Sequence, residues 1–498
     1  MDFVLNFIDS YTQNKLLVLT TIKDSQKATT FEELAQSTGF EQRTIYKYVE
    51  AIFNDYKNAA IADLTFEISA SKCVQVTYKS FKMYHKFIQY IIEKSFPIVL
   101  LRKLLLSEQL SVVQLSIEYY ISDSTIKRRI QDINQHLSDY NLRIISRKGN
   151  LMIEGSERQI RFFSYSLIWN LYKGREWVFK TVKKEWAETF VDAVFEQSKI
   201  IRNLSNIEEI YYIVAINKIR QMRGHPVVFS EKWLQQLFSK KFLASEKPWL
   251  NEYQLTEHEG LFFLLLAQTN AKFYLIKDYK EPIYLFHRTE KTPLYQSIEA
   301  FFQKFSEQIE TIDLTLKEEL YKYVTSYHLF CMLFQNFPTG INNYSGGKLL
   351  LKKHRNLASK IDQLIEELYN ETKIPLFKEK EFLSGRYALL FSMIGEVSKF
   401  EPLILIYIDT DLPLLAEKKI MQQLKCYIKE SYNIKFINEG EQYAKDEADI
   451  VITTSYVDGF QEFTSRRNII YIPENLRSED VLRIRKRLKK ILLEKNSI

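Results

Sequence analysis

In the stretch "YYISDSTIKRRIQDINQHLSDYNLRIISRKGNLMIEGSERQIR", residues 119–161, three hydroxyl side chains stand directly ahead of three cations. The hydroxyls are Ser122, Ser124 and Thr125, and the cations are Lys127, Arg128 and Arg129. A second basic group, Arg147 and Lys148, follows in the turn Arg147-Lys148-Gly149-Asn150, between two short apolar runs. This set suits anion binding rather than covalent chemistry. Hydroxyls and first-turn amides at a helix start meet phosphate oxygens, and long cations a turn later reach phosphates or guanine edges. A polyanion is the ligand that fits, and double-stranded DNA is the expected partner.

Holding these groups together requires a platform, and the flanking apolar residues predict one. Ile126, Ile130 and Ile133 recur at helical spacing and point to a core, leaving the cations on the other side. Leu115 and Ile117 fall in a preceding supporting helix, with Ser122 as the N-cap of the next. The hairpin carrying Arg147 and Lys148 lies where it can follow the flanking backbone. Together these elements read as a winged helix-turn-helix.

The same recipe occurs earlier. In "TTFEELAQSTGFEQRTIYKYVEAI", Thr30 and Glu33 have capping-box spacing, Leu34 and Ala35 face inward, and Gly39 permits the turn. The next helix buries Ile45, Val49 and Ile52 and presents Arg43, Thr44, Tyr46 and Lys47. A hairpin is expected from the alternation of Phe66, Ile68, Val74 and Val76 with polar residues. The two copies differ in charge. From Ile121 to Asn150 there are six cations against three acids, and from Lys23 to Asp55 four cations against six acids. Phosphate attraction scales with cations delivered, so the second copy is expected to be the main DNA reader.

At 498 residues, with 46% hydrophobic residues, 13 glycines and 10 prolines, the chain reads as a mainly α, multidomain protein. Net charge is +7, so the placement of charge matters more than its sum. Cys73, Cys331 and Cys426 fit no ligand spacing, and a reduced cytoplasmic protein without disulfides, metal or cofactor is expected. The N-terminus lacks the pattern of a signal peptide, and the most apolar run, "LFFLLLA" from Leu261, falls short of a membrane span.

Five stretches separate by texture. Residues 1–80 and 81–165 are the two winged helix-turn-helix units. Residues 166–282 and 283–398 are all-helical, with apolar residues at three and four spacing. From 399 to 498 the runs "LILIYI", "ADIVITT" and "NIIYIP" alternate with helical patterns, which predicts an α/β domain with a parallel sheet.

The segment "LSDYNLRIISRKGNLMIEGSERQIRFF" resembles the wing and exit helix of regulators controlled by the sugar phosphotransferase system. The complete order of parts is similar to the Mga-type virulence regulators of Gram-positive bacteria. That resemblance implies two helix-turn-helix units, two helical phosphotransferase-regulation domains (PRDs) and a C-terminal EIIB-like domain. It implies a transcriptional regulator, often an activator, that forms a homodimer through its C-terminal and PRD-like regions. It also implies phosphocarrier proteins as partners acting on regulatory histidines. The matching positions hold Tyr211 and a residue near Leu266, and "EKEFLSGRYALLFSMI" has no histidine, which leaves His328 as the phosphorylation candidate. The structural alternative for His328 is a half-buried, hydrogen-bonded helix residue. An EIIB phosphotransfer site needs a cysteine after the first strand, where "YIDTDLPLLA" places Asp409 and Asp411. Cys426 lies in the following helix and reads as core, so a structural or dimer-forming role is expected of this domain.

No phosphate-binding loop, paired-histidine metal motif or nucleophile elbow is present, and the chain does not read as an enzyme. The competing reading is a helical scaffold whose reader-like units bind protein.

Overall fold

The computed structural model describes residues 2–498 except 26, 71, 107–109, 196–203, 246–247, 342, 438–446, 456–467 and 497–498. The chain forms two compact lobes: residues 1–298 with 321–344, and residues 299–320 with 345–498. It is mostly helical, with a parallel four-stranded sheet near its C-terminus. Among the described residues no helix is long and apolar enough to cross a membrane.

The first lobe opens with a short helix, α1 (Asp2–Leu5), and then a repeated pattern. The first repeat runs α2 (Ser10–Asp24), β1 (Thr29–Thr30), α3 (Phe31–Thr38), α4 (Gln42–Ala59), β2 (Leu64–Ile68) and β3 (Cys73–Tyr78). After α5 (Phe81–Glu93), the second runs α6 (Phe96–Leu105), β4 (Leu110–Ser111), α7 (Val112–Tyr119), α8 (Asp123–Ser138), β5 (Arg143–Arg147) and β6 (Asn150–Glu154). In each repeat the two-residue strand adds to the second hairpin strand, giving sheet orders β1-β3-β2 and β4-β6-β5. The caps repeat as well. Thr30 with Glu33, and Ser111 with Gln114, both close a full capping box. Such boxes satisfy amide groups that the helix itself leaves without partners.

The apolar spacing finds its core as expected at Leu34, Ile45, Val49 and Ile52, and at Leu115, Ile126, Ile130 and Ile133, all buried. Three details depart from the reading. Ala35 is only half-buried, Ile117 of the supporting helix is exposed, and Ile68 is exposed because it sits at the outer end of its hairpin.

After the wing, α9 (Glu157–Tyr172) is buried along its whole length from Gln159 onward. A helix surrounded on every side must satisfy its polar groups internally. Gln159 donates to the Tyr140 and Gln335 carbonyls at 3.1 and 2.9 Å and accepts from the Gln335 amide at 3.0 Å. Asn170 donates to Ser166 and Ile341 carbonyls. The chain continues through α10 (Lys184–Phe195), α11 (Leu204–Met222), α12 (Glu231–Leu237), α13 (Lys240–Ala244), α14 (Pro248–Glu252), α15 (Glu257–Gln268) and α16 (Lys277–Thr289), of which α11 packs along α9. A satellite core gathers Phe190, Val191, Tyr211, Val214, Tyr253 and Leu255.

The helices α17 (Pro293–Gln308) and α18 (Leu314–Leu333) follow in the chain. In the second lobe, α19 (Gly346–Lys353), α20 (Arg355–Thr372) and α21 (Lys380–Ile394) precede the sheet. Its strands are β7 (Ile404–Asp409), β8 (Ile434–Phe436), β9 (Ile450–Thr453) and β10 (Ile469–Tyr471), in the order β10-β9-β7-β8 and all parallel. β8 is the strand that apolar runs did not reveal, because "IKF" is too short and interrupted by lysine to stand out. Two helices, α22 (Leu414–Ile428) and α23 (Ser478–Lys495), flank the sheet and share its core of Ile404, Ile406, Ile408, Leu424, Ile452, Ile484 and Leu488.

Cys426 is exposed rather than part of that core. The buried face of α22 is Ile420, Met421, Leu424 and Ile428, and a residue two positions past Leu424 points to the opposite side of a helix. Asp411 accepts a hydrogen bond from the Thr454 hydroxyl at 2.7 Å, which holds its carboxyl below the ordinary range. Among the described residues no group of three or more His, Cys, Asp or Glu side chains could hold a metal ion.

Candidate nucleic-acid interface

Helix α8 begins at Ser122, whose extended backbone and side chain form the N-cap. The Ser122 hydroxyl accepts from the Thr125 amide at 3.2 Å and lies 2.9 Å from Ser124 Oγ and 2.8 Å from Thr125 Oγ1. The three hydroxyls predicted to meet phosphate thus form one exposed cluster at the positive end of a sixteen-residue helix. Just beyond it, Lys127 is exposed on the flank of the face that buries Ile126 and Ile130, and Arg128 is exposed opposite that face. Neither makes an ion pair among the described residues.

Arg129 is placed differently. It is half-buried, and its guanidinium lies over the Phe96 ring at 4.9 Å. Cation–π packing of this kind draws it toward α6 rather than outward with its two neighbours.

The wing turns through Lys148 (φ 49°) and Gly149 (φ 83°), both left-handed as a two-residue type I′ turn requires. Lys148 is exposed at the tip. Arg147 is exposed too, but it shares Glu154 on the paired strand with Arg143, at 2.8 and 2.5 Å. The Arg143 hydrogen bond, reinforced by Arg147, pulls the Glu154 carboxyl below its usual range. This bridge is solvent-exposed, where ion pairs contribute little, so Arg147 can exchange its carboxylate for a phosphate at small cost.

Wing and helix are fastened to each other by Asn134. Its amide nitrogen donates to the Ile144 carbonyl at 3.0 Å and its oxygen accepts from the Ile144 amide at 2.6 Å. On the other side Lys103 bonds both oxygens of Glu118, bracing α6 against α7. Sequence reading missed Asn134, Glu154 and Phe96. Polar residues inside a helix carry no local mark of the strand they will meet.

In the first repeat Arg43, Tyr46 and Lys47 are exposed and Thr44 is half-buried. Arg43 and Lys47 make no ion pair among the described residues. The acid excess counted there shrinks on folding. Asp55 is buried against Lys15 at 2.6 Å and Lys94 at 3.1 Å, so its charge is spent inside the fold. Lys23 and Lys27 are engaged with Asp24 and Glu33. Among the described residues of the two stretches compared, the uncommitted cations facing outward are therefore Lys127, Arg128 and Lys148 in one and Arg43 and Lys47 in the other, and the first repeat adds Lys72, exposed at its hairpin turn. That is a narrower margin than composition suggests.

His328 is fully buried, with Nδ1 2.8 Å from the Ser297 hydroxyl. Burial lowers its pKa from an ordinary 6.5 to about 3. His287 is buried in the same lobe, Nδ1 2.8 Å from Thr292 Oγ1, and burial lowers it to about 4.

A three-helix platform, a hairpin with basic residues at its tip and an outward cationic helix have the arrangement expected of a winged helix-turn-helix. Residues 81–168, spanning α5 to α9, match the Mga helix-turn-helix domain. This segment is similar to that domain, and the similarity to whole relatives is distant. The chain is 22% identical over 340 residues to the capsule synthesis positive regulator AcpB of Bacillus anthracis, covering 64% of this chain and 68% of that protein. It is also 22% identical over 317 residues to the capsule synthesis positive regulator AcpA of the same organism, covering 61% and 63%. The chain thus spans about two-thirds of the length of these curated relatives.

Proposed function

We propose that this protein is a DNA-binding transcriptional regulator that activates promoters, gripping duplex DNA chiefly through its second winged repeat. The observation that carries the reading is the joint presentation of Lys127, Arg128 and Lys148. They come from two elements that Asn134 ties together, next to the exposed hydroxyl cluster at the start of α8. Both relatives are positive regulators by name, which supports activation over repression.

In this reading residues 1–80 and 81–165 are the two readers. Residues 166–282 and 283–398 are PRD-like regulatory regions, and residues 399–498 are an EIIB-like domain. The active species is a homodimer joined through the PRD-like and C-terminal regions, since pairing two half-sites multiplies modest single-unit affinity. Asp409 and Asp411 leave the C-terminal domain without a phosphotransfer nucleophile, which favours the assembly role. Control by phosphocarrier proteins at His328 requires its surroundings to open, because the ring is sealed from any donor.

The test is binding to genomic promoter fragments across a salt series, with footprinting of the retained fragments. Affinity should fall steeply as salt rises. Absence of retention on duplex DNA at low salt refutes the reading. Sedimentation of the full chain reports the dimer. Mass spectrometry that preserves phosphohistidine, after incubation with phosphocarrier enzymes, reports His328, and an unmodified residue removes that limb.

A further inference from the structure

Tyr120 closes α7 in the left-handed conformation, φ 52° and ψ 41°. A side chain with a Cβ resists this backbone; among the described residues Ala60, Lys173 and Lys373 also cap helices in it, but Tyr120 is the one aromatic with a positive φ. Packing does not repay the strain, because Tyr120 is 94% exposed. The chain supplies its own comparison. Nine residues after the capping residue Ser111 stands Tyr120, and nine after its counterpart Thr30 stands Gly39, left-handed at φ 75°. Glycine takes the turn without strain in the first repeat, and the second repeat holds a tyrosine there instead. Strain retained at an exposed residue points to something outside the protein that the residue touches.

Its position narrows what that is. In sequence Tyr120 stands two residues before the N-cap Ser122, which opens the helix that carries Lys127 and Arg128, and Ser122 and Ser124 are exposed. We propose that Tyr120 is a phosphate-contacting residue of the reader. Its hydroxyl donates to a DNA backbone oxygen at the start of α8 and fixes the register in which Lys127 and Arg128 enter the groove. This rests on the DNA-binding reading. Phosphate contacts of this kind position a reader without selecting sequence. A second class of partner, a protein seated on the exposed apolar face that Val113 and Ile117 continue along α7, is the competing occupant.

The full-length protein with Tyr120→Phe and, separately, Tyr120→Gly is titrated on a promoter duplex and on an unrelated duplex at several salt concentrations. Both variants keep the wild-type melting temperature or exceed it, since neither removes a packed group. Tyr120→Phe weakens binding about three- to tenfold on both duplexes. The slope of log affinity against log salt stays unchanged, because a neutral donor releases no counterion. Arg128→Ala, run alongside, weakens binding and lowers that slope by about one. If Arg128→Ala weakens binding while both Tyr120 variants bind as wild type, this proposal is overturned and the DNA reading stands. If Lys127→Ala with Arg128→Ala also binds as wild type, the reading itself fails. A loss confined to one duplex makes Tyr120 a base reader and overturns the phosphate assignment. Loss of transcription in vitro at unchanged DNA affinity assigns the face to a protein partner and overturns it too.

Discussion

The guanidinium of Arg161 forks onto the carboxylate of Glu259 at 2.6 and 2.7 Å, with both side chains fully buried. Arg161 belongs to α9, the helix that leaves the wing, and Glu259 to the first turn of α15. The pair is the centre of a network. Arg161 also reaches Glu157, Asn217 and the His225 carbonyl, Tyr165 donates to Asn217, and Glu259 accepts from the Val227 amide. Arg220 completes it by bonding both oxygens of Glu157. Burial opposes the Arg161 charge, but hydrogen bonds and attraction from Glu259 outweigh it, and its pKa is raised. The exit helix of the second repeat is thereby locked to the helical region that follows.

Removing one partner leaves an uncompensated buried charge. Glu259→Ala is expected to destabilise the first lobe by about 3–5 kcal/mol. Replacing both partners by apolar residues, Arg161→Met with Glu259→Leu, should recover much of that. Urea unfolding followed through tryptophan fluorescence checks the order, and a single variant no less stable than the double one contradicts it.

Cation placement predicts a ranking of the repeats. Lys127→Ala with Arg128→Ala should weaken DNA binding more than Arg43→Ala with Lys47→Ala. The first pair should lower the log–log salt slope by about 2 if each cation holds one phosphate. Arg129→Ala should matter less than Arg128→Ala, because its guanidinium is engaged by Phe96. Gel-shift titrations giving equal losses for the two pairs would overturn the ranking.

Buried histidines set a pH dependence. With folded pKa values of about 3 for His328 and about 4 for His287, both below 6.5, the unfolded chain binds more protons in acid. Stability is therefore complete above pH 6.5 and falls as pH drops from there toward 4. The slope is about 1.4 kcal/mol per pH unit for each histidine. His328→Asn should remove about one proton from that dependence in urea midpoints measured against pH. An unchanged slope would show that the ring is not kept neutral by burial.

Asn134 predicts a coupling of wing to helix. Asn134→Leu deletes both bonds to Ile144 and leaves that amide and carbonyl to find other partners, costing about 1–3 kcal/mol. DNA affinity should fall through a misplaced Lys148, so adding Lys148→Ala to Asn134→Leu should cost less than Lys148→Ala alone. Additive losses in a double-mutant cycle would refute the coupling.

The repeated helix–turn–helix with its hairpin was legible because every signal is local. Thr30 and Ser111 meet their capping partners three residues on, Ile126, Ile130 and Ile133 keep helical spacing, and Lys148-Gly149 suits a two-residue turn. The continuous apolar strands of the C-terminal sheet were legible for the same reason, and short, lysine-broken β8 was not. Cys426 was misplaced because its apolar neighbours in sequence lie across the helix from it.

Local chemistry alone thus determined that a basic helix and a basic hairpin tip would be built, and that two such units would stand in series. Which charges remain available was decided only in three dimensions. Asp55 meets Lys15 from 40 residues away, and Arg161 meets Glu259 across 98. Arg129 is turned toward Phe96, and Arg147 and Arg143 divide one glutamate. Helix and turn propensities act over a few residues, whereas the partner of a charge is chosen by whatever the folded chain brings within reach.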